Sequence, residues 1–290
     1  LALSLVVAGG CLWIAAWDVD RARLWQVISE ADLSLVLVAG LLTLAMNAVK
    51  CTKLKVLLAR AHRVRYSTLF AAELISVLVD VAFPFRLQAL VKAYVVGNRE
   101  GVRPAFVLGV EVVEKMVEVL FLVAVICVLW LTRDIPGWVT MVLWVGVCLV
   151  VIAAVLLGLA LRRPRALEGP VERLAGSRLP AAGRVADALG RMIEGLQQAD
   201  SRPTALAAVI GITAVEWVIL AAVFWTTAAA AGIHIPVSGV LGVLVATFLA
   251  FAAPTSSAGS VGIFELAGKA TLVLLLAMEP ERALGLVILY

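Results

Sequence analysis

The stretch APTSSAGSVGIFE, Ala253 to Glu265, lies between two apolar segments and governs the reading of the rest of the chain. A proline, two glycines, three serines and a threonine in thirteen residues break the helix that the flanking segments would otherwise continue. A broken backbone leaves N–H and C=O groups that hydrocarbon cannot satisfy, so such a break survives in a bilayer only against protein or water. Broken helices at membrane depth are a common way to build a site for a polar group.

The surrounding sequence supplies the membrane. Of 290 residues, 63% are hydrophobic and 15% charged, and the mean hydropathy is +1.06, which predicts an all-α, polytopic integral membrane protein. One integral membrane domain over 1–290 is expected, with 162–202 as a cytoplasmic amphipathic linker inside it. The chain opens on Leu1 and closes in mid-run on Tyr290, so both ends are expected to be cut from a longer protein. A signal peptide over Leu1 to Trp17 is the alternative to a first transmembrane helix, but no small-residue cleavage pattern follows it. Cys11, Cys51, Cys127 and Cys148 have no CxxC spacing and read as buried thiols, and His62 and His234 have no partner for a metal site or triad. Neither a metal nor a cofactor is expected.

Apolar segments are predicted at Leu1 to Trp17, Leu33 to Val49, Tyr66 to Phe83, Ala105 to Leu131, Trp138 to Leu161, Pro203 to Ala231, Val237 to Ala253 and Ile263 to Met278. A crossing helix needs roughly 20 residues, so the third, seventh and eighth are short, and they flank Pro84 and Pro254. Two basic regions, a loop at 50–65 and the linker at 162–202, are expected in the cytoplasm. Three segments separate them where an even number of crossings is required. Tyr66 to Phe83 is therefore predicted to be a re-entrant hairpin turning near Pro84, and Val237 to Met278 a second one dipping from the other face. Opposed hairpins would form an inverted repeat with the site between their tips.

Charged residues mark that site. Glu111, Glu114 and Glu118 have helical spacing within Ala105 to Leu131, and Lys115 stands four residues after Glu111. Each uncompensated charge at a helix centre costs about 2.5 to 3.5 kcal/mol, so either this face turns inward or the segment starts later and the charges are interfacial. Arg86, Gln88 and Lys92 follow Pro84 and either neutralise the acidic face or hold an anionic headgroup, for which arginine offers a paired donor fork. Glu73, Asp80 and Glu216 are further intramembrane acids, Glu216 being either a structural carboxylate or a site group. Glu265 and Lys269 have the spacing of a local ion pair or serve the break itself. The stretch from Arg162 to Arg202 reads either as an amphipathic surface helix or as a solvated linker.

The residues FPFRLQALVKAYVVGNREGVRPAFVLGVEVVEKMVEVLFL, Phe83 to Leu122, resemble a signature of the lysylphosphatidylglycerol synthase transmembrane family, the flippase-like region of multiple peptide resistance factors. The matching positions are Pro84, Arg86, Lys92, Glu114, Lys115 and Glu118. The C-terminal run from Ala253 is similar to a second signature through Pro254, Gly259, Gly262 and Glu265, and NAVKCTKLKVLL resembles the basic end of the family's second helix. The sequence departs from the pattern at Gln88 and Ala89, where the family has Gly-Glu, and at Ala258, the first glycine of the second pair.

The resemblance implies handling of a lipid. The expected activity is translocation of a polar-headgroup lipid between leaflets of the cytoplasmic membrane. The headgroup site would hold Arg86, Gln88, Lys92, Glu114, Lys115, Glu118, Glu216, Pro254, Gly259, Gly262, Glu265 and Lys269. The alternative is a non-transporting module that scaffolds or regulates a lipid-modifying or glycosyl-transferring enzyme. Expected partners are membrane lipids, whether anionic or aminoacylated phospholipids or polyprenyl-linked lipids, with a second copy of the chain or a fused or associated transferase beside them, and no nucleic acid. No nucleotide-binding motif, histidine pair, HExxH or GxSxG is present, so the chain is not expected to be an enzyme.

Overall fold

Asp32 begins α3 (Leu33–Leu58), one of two long apolar helices, and also fixes the other, α7 (Pro203–Ala230). Its carboxylate accepts from Ser34 N–H at 2.8 Å, capping helix α3, and its own N–H donates to Ala230 O at 2.9 Å, at the far end of helix α7. In this computed structural model, which describes residues 2–83, 87–132, 202–252 and 262–290 together with Trp144 and Cys148, ten helices and no strand are found among the described residues. They are α1 (Ala2–Ala16), α2 (Arg21–Ser29), α3 (Leu33–Leu58), α4 (Tyr66–Ala82), α5 (Gln88–Glu100), α6 (Pro104–Thr132), α7 (Pro203–Ala230), α8 (Val237–Ala252), α9 (Ile263–Leu276) and α10 (Pro280–Leu289). The fifth predicted apolar segment, Trp138 to Leu161, and the linker at 162–202 lie outside the described residues, apart from Trp144, Cys148 and Arg202.

Helices α3 and α7 run antiparallel along each other and are the two described helices both long and apolar enough to cross a membrane. At about 1.5 Å per residue they reach about 39 and 42 Å, more than the hydrocarbon core requires. Helix α6 has the length, with 29 residues, but carries four charges in its first half.

The expected loop at 50–65 is corrected. Helix α3 continues through Lys50, Lys53 and Lys55 to Leu58, and only 59–65 connect it to α4. The reason is periodicity: Asn47, Cys51, Leu54 and Leu58 are all buried at three- and four-residue intervals, so the apolar face outlasts the uniformly apolar sequence.

Two pairs of shorter helices flank the α3–α7 pair. Helices α4 and α5 pack antiparallel, and their outer ends meet at Glu100, which pairs with Arg65 Nε at 3.0 Å and accepts from the Thr68 hydroxyl. Gly101, at φ 69°, then turns the chain into α6. Gly97 permits that turn, because a Cβ there would stand 2.7 Å from Val102 O and from Pro104 Cγ. Helices α8 and α9 form the second antiparallel pair, in which Gly239 faces Leu276 and Gly242 faces Leu275. The α4–α5 pair is rooted at the Leu58 end of α3, and the α8–α9 pair follows α7 at its Ala230 end. The roots therefore lie at opposite ends of the central pair. The helix following each pair also opens on the same pattern, Pro104 with Leu108 and Gly109 in α6, and Pro280 with Leu284 and Gly285 in α10.

The apolar core is divided. One part joins Leu54, Leu57 and Leu58 to Leu69, Ala93, Val96, Val107, Val110 and Val209; the other joins Leu122 and Ile126 to Trp217, Phe224, Val243, Leu244, Leu272 and Leu286. Along α6 and α7 the two parts meet between Val117 and Leu122 and between Val209 and Trp217. Glu118 and Glu216 occupy that boundary, and Glu111 and Glu114 precede it on α6.

Candidate functional site

Lys53 is fully buried, at 0% exposure, on a helix apolar enough to span a bilayer. A buried ammonium has to be paired, because its desolvation is otherwise uncompensated. Three carboxylates from two other helices meet it: Glu118 Oε1 at 2.7 Å and Glu114 Oε1 at 3.3 Å from α6, and Glu216 Oε2 at 2.6 Å from α7. The four-residue spacing of Glu114 and Glu118 stacks both on one side of α6, and Glu216 projects from the middle of α7 into the same space.

Two more lysines border this group. Lys115 donates to Glu118 Oε2 at 2.7 Å with its side chain 65% exposed, and Lys50 approaches Glu216 Oε1 at 3.8 Å. Glu118 thus receives a lysine on each oxygen. Glu114 Oε2 receives no hydrogen bond, and Glu216 Oε2, though close to Lys53, lies out of hydrogen-bonding alignment.

A second group lies one turn nearer the α5–α6 connection. Lys92 of α5 stands 2.8 Å from Glu73 Oε2 of α4 and 2.9 Å from Glu111 Oε1 of α6, and all three residues are buried. Among the described residues the two groups hold five carboxylates and four ammoniums, an excess of one negative charge if every group is ionised.

An aromatic stack connects this layer to the α8–α9 pair. Trp217, beside Glu216 in sequence, has ring centroids of Phe121 at 5.7 Å and of Phe248, near the inner end of α8, at 5.9 Å. The second pair therefore reaches the charged layer from the Ala230 end, as the first pair reaches it from the Leu58 end through Glu73 and Lys92.

Of the residues expected at the site, Lys92, Glu114, Lys115, Glu118 and Glu216 come together in this layer. The Glu111, Glu114 and Glu118 face turns inward, with all three buried against protein. Gln88 is half-buried in the first turn of α5. Arg86, Pro254 and Gly259 lie outside the described residues.

Gly262, Glu265 and Lys269 are placed elsewhere. Gly262, at φ 92°, caps α9, and its N–H donates to Glu265 Oε2. Lys269 does not pair with Glu265. It crosses to the α1–α2 connection, donating to Ala15 O at 2.7 Å and to the Asp18 carboxylate. The Lys269 hydrogen bond holds Asp18 below the usual carboxylate range, against a smaller opposing effect of burial.

Sequence reading missed Lys50 and Lys53 as site residues, and counted Glu73 and Glu111 only as intramembrane acids. Lys53 lies on the stretch of α3 whose burial runs from Asn47 through Cys51 and Leu54 to Leu58, and that burial comes from the packing of α7 along α3, which the sequence does not display. Among the described residues no group of three histidine, cysteine or acidic side chains is arranged to hold a metal ion; the acids converge on lysine.

A layer of paired lysines and carboxylates between apolar cores can exchange partners. An ammonium can leave one carboxylate for an anionic group, and the freed carboxylate can take a cation or a proton. No curated protein and no solved structure matches this chain. The family model of the lysylphosphatidylglycerol synthase TM region matches residues 1–290, and the chain therefore belongs to that family of membrane-embedded, lipid-related modules.

Proposed function

We propose that the chain is a lipid translocase that moves a polar-headgroup lipid between leaflets of the cytoplasmic membrane, making and breaking no covalent bond. The observation that carries this reading is the fully buried Lys53 with Glu114, Glu118 and Glu216 between the two antiparallel helix pairs. So many ion pairs are expensive at membrane depth, and a stable helical bundle does not need them. A path that replaces the water around a charged headgroup does.

In this reading the α4–α5 and α8–α9 pairs are re-entrant hairpins of an inverted repeat. Their lengths of 17, 13, 16 and 14 residues, below the roughly 20 of a full crossing, and their opposed roots support it. Arg60, Arg63, Arg65, Arg99 and Arg103 gather at the α4–α5 root, which the positive-inside rule assigns to the cytoplasm. The headgroup passes the lysine–carboxylate layer and Arg86 while the acyl chains stay in lipid. Its chemistry is that of an anionic or aminoacylated phospholipid or of a polyprenyl-linked lipid phosphate.

Reconstitution in liposomes with headgroup-labelled lipid tests this directly. Leaflet exchange should exceed that of empty liposomes, and Glu118→Gln or Arg86→Ala should lower it about tenfold or more while each variant elutes as a folded species, a loss of about 1.4 kcal/mol in the barrier difference. Exchange equal to empty liposomes overturns the reading. Exchange at the empty-liposome level with co-purification of a transferase would support a scaffolding module instead.

A further inference from the structure

Lys92 is shared between two acids. Its ammonium stands 2.8 Å from Glu73 Oε2 and 2.9 Å from Glu111 Oε1, with the three residues 8%, 2% and 6% exposed. Among the described residues no second cation pairs directly with Glu73 or Glu111. On α3, Lys53 is committed to Glu114, Glu118 and Glu216, Lys50 approaches Glu216, and Cys51 carries no charge in its thiol form. On α6, Lys115 is committed to Glu118, and Glu114 adds another acid. On α4, Asp80 lies two turns beyond Glu73. The Lys53 group balances, three ammoniums against three carboxylates, and the surplus negative charge belongs to Glu73 and Glu111.

Two buried carboxylates around one ammonium are relieved most cheaply by a proton on one of them. The oxygens for it are present. Glu73 Oε1 is buried and accepts no hydrogen bond, and Glu111 Oε1, though 2.9 Å from the Lys92 ammonium, lies out of hydrogen-bonding alignment. Arg86, six residues before Lys92, lies outside the described residues.

We propose that Glu73, Lys92 and Glu111 form a proton-binding site that couples lipid translocation to the proton gradient. This rests on the translocase reading and names its co-substrate. When the phosphate of a headgroup draws the Lys92 ammonium away, the carboxylate it leaves takes up a proton from the face then open. When the headgroup departs, the ammonium returns and that proton is released to the other face. Charge is conserved at each stage, and no group is oxidised or reduced.

Two measurements on the reconstituted chain separate this inference from the reading beneath it. Infrared difference spectra across a pH series should show a buried protonated carboxyl band in the wild type. That band should be lost in both Glu111→Gln and Glu73→Gln, each of which balances the single lysine with a single acid. Exchange of labelled phospholipid should then respond to an imposed difference of about one pH unit, about a tenfold bias in proton activity, and the response should vanish in the variants. Exchange with no carboxyl band and no response to the gradient overturns the proton site and leaves the translocase standing. A band lost in the variants, without exchange, supports the site and overturns the translocase. A response to sodium in place of protons overturns the proposal, and the wild-type spectrum decides the matter if neither variant folds.

Discussion

Lys53 Nζ stands 2.6 Å from Glu216 Oε2, a buried contact that joins the two described helices long and apolar enough to cross a membrane. With Glu114 and Glu118 on the same ammonium, one lysine compensates three carboxylates from α6 and α7.

Removal of that lysine should therefore be far worse than removal of a neighbour on the same helix. Lys53→Met leaves three buried acids facing one another, and breaking a buried ion pair by deleting one partner costs about 3–5 kcal/mol. Lys55→Met, at an exposed position, should change little. Thermal unfolding midpoints in detergent should fall sharply for the first and barely for the second, and adding Glu216→Gln to Lys53→Met should recover part of the loss. Equal midpoints for the two single variants would remove Lys53 from the centre of the layer.

The acids of this layer were legible because helical spacing is local: Glu111, Glu114 and Glu118 declare one face of α6 in eight residues. Their partner was not. A lysine close to the end of an apolar run ordinarily extends its stem and places its ammonium at the interface, so Lys50 and Lys53 read as a cytoplasmic cluster. Only the packing of α7 along α3 closes that route, and packing between helices about 150 residues apart leaves no trace in a single sequence. Lys269 shows the same limit. Glu265, four residues away, is its obvious partner, yet the structure selects Asp18, 251 residues away. The two short helix pairs, in contrast, were announced by Pro84 and by the Pro254 to Gly262 break, since backbone interruption is written in residue type.

Close backbone approach at Gly97 gives a second test. An alanine Cβ there meets Val102 O at 2.7 Å, and a carbonyl fixed in the α5–α6 turn cannot move aside as a side chain can. Gly97→Ala should destabilise by the about 1–3 kcal/mol typical of overpacking. Gly40→Ala, on α3 with no atom within 4 Å of the added Cβ, should be neutral or stabilising. A comparison of unfolding midpoints decides it, and a tolerated Gly97→Ala would show the turn to be looser than its geometry implies.

The root of the α4–α5 pair should respond to acid. The Thr68 hydroxyl, and after it Arg65, hold the Glu100 carboxyl below the usual carboxylate range. A depressed folded value contributes stability that is complete above the unfolded value of about 4.3 and is lost as pH falls through the folded one. The difference in unfolding midpoint between the wild type and Glu100→Gln should therefore be largest near neutral pH and should shrink below about pH 4. A difference constant from pH 7 to 3 would mean that the carboxylate charge does not hold this root together.

The Lys269 contact to Ala15 O and Asp18 ties the middle of α9 to the α1–α2 connection. If translocation requires the α8–α9 pair to move, this contact has to open in each cycle. Asp18 is held below the usual carboxylate range, so its carboxylate stays ionised through mildly acidic conditions and the contact loosens only as pH falls below about 4. Replacing both residues by cysteine in a chain whose own four cysteines are changed to serine places the lock under redox control. Oxidation should slow leaflet exchange about tenfold and reduction should restore it, equivalent to about 1.4 kcal/mol on the rate-limiting step. Exchange unaffected by a verified cross-link would show that lipid passes while α9 remains fixed to α1, and the moving part would then have to be the α4–α5 pair.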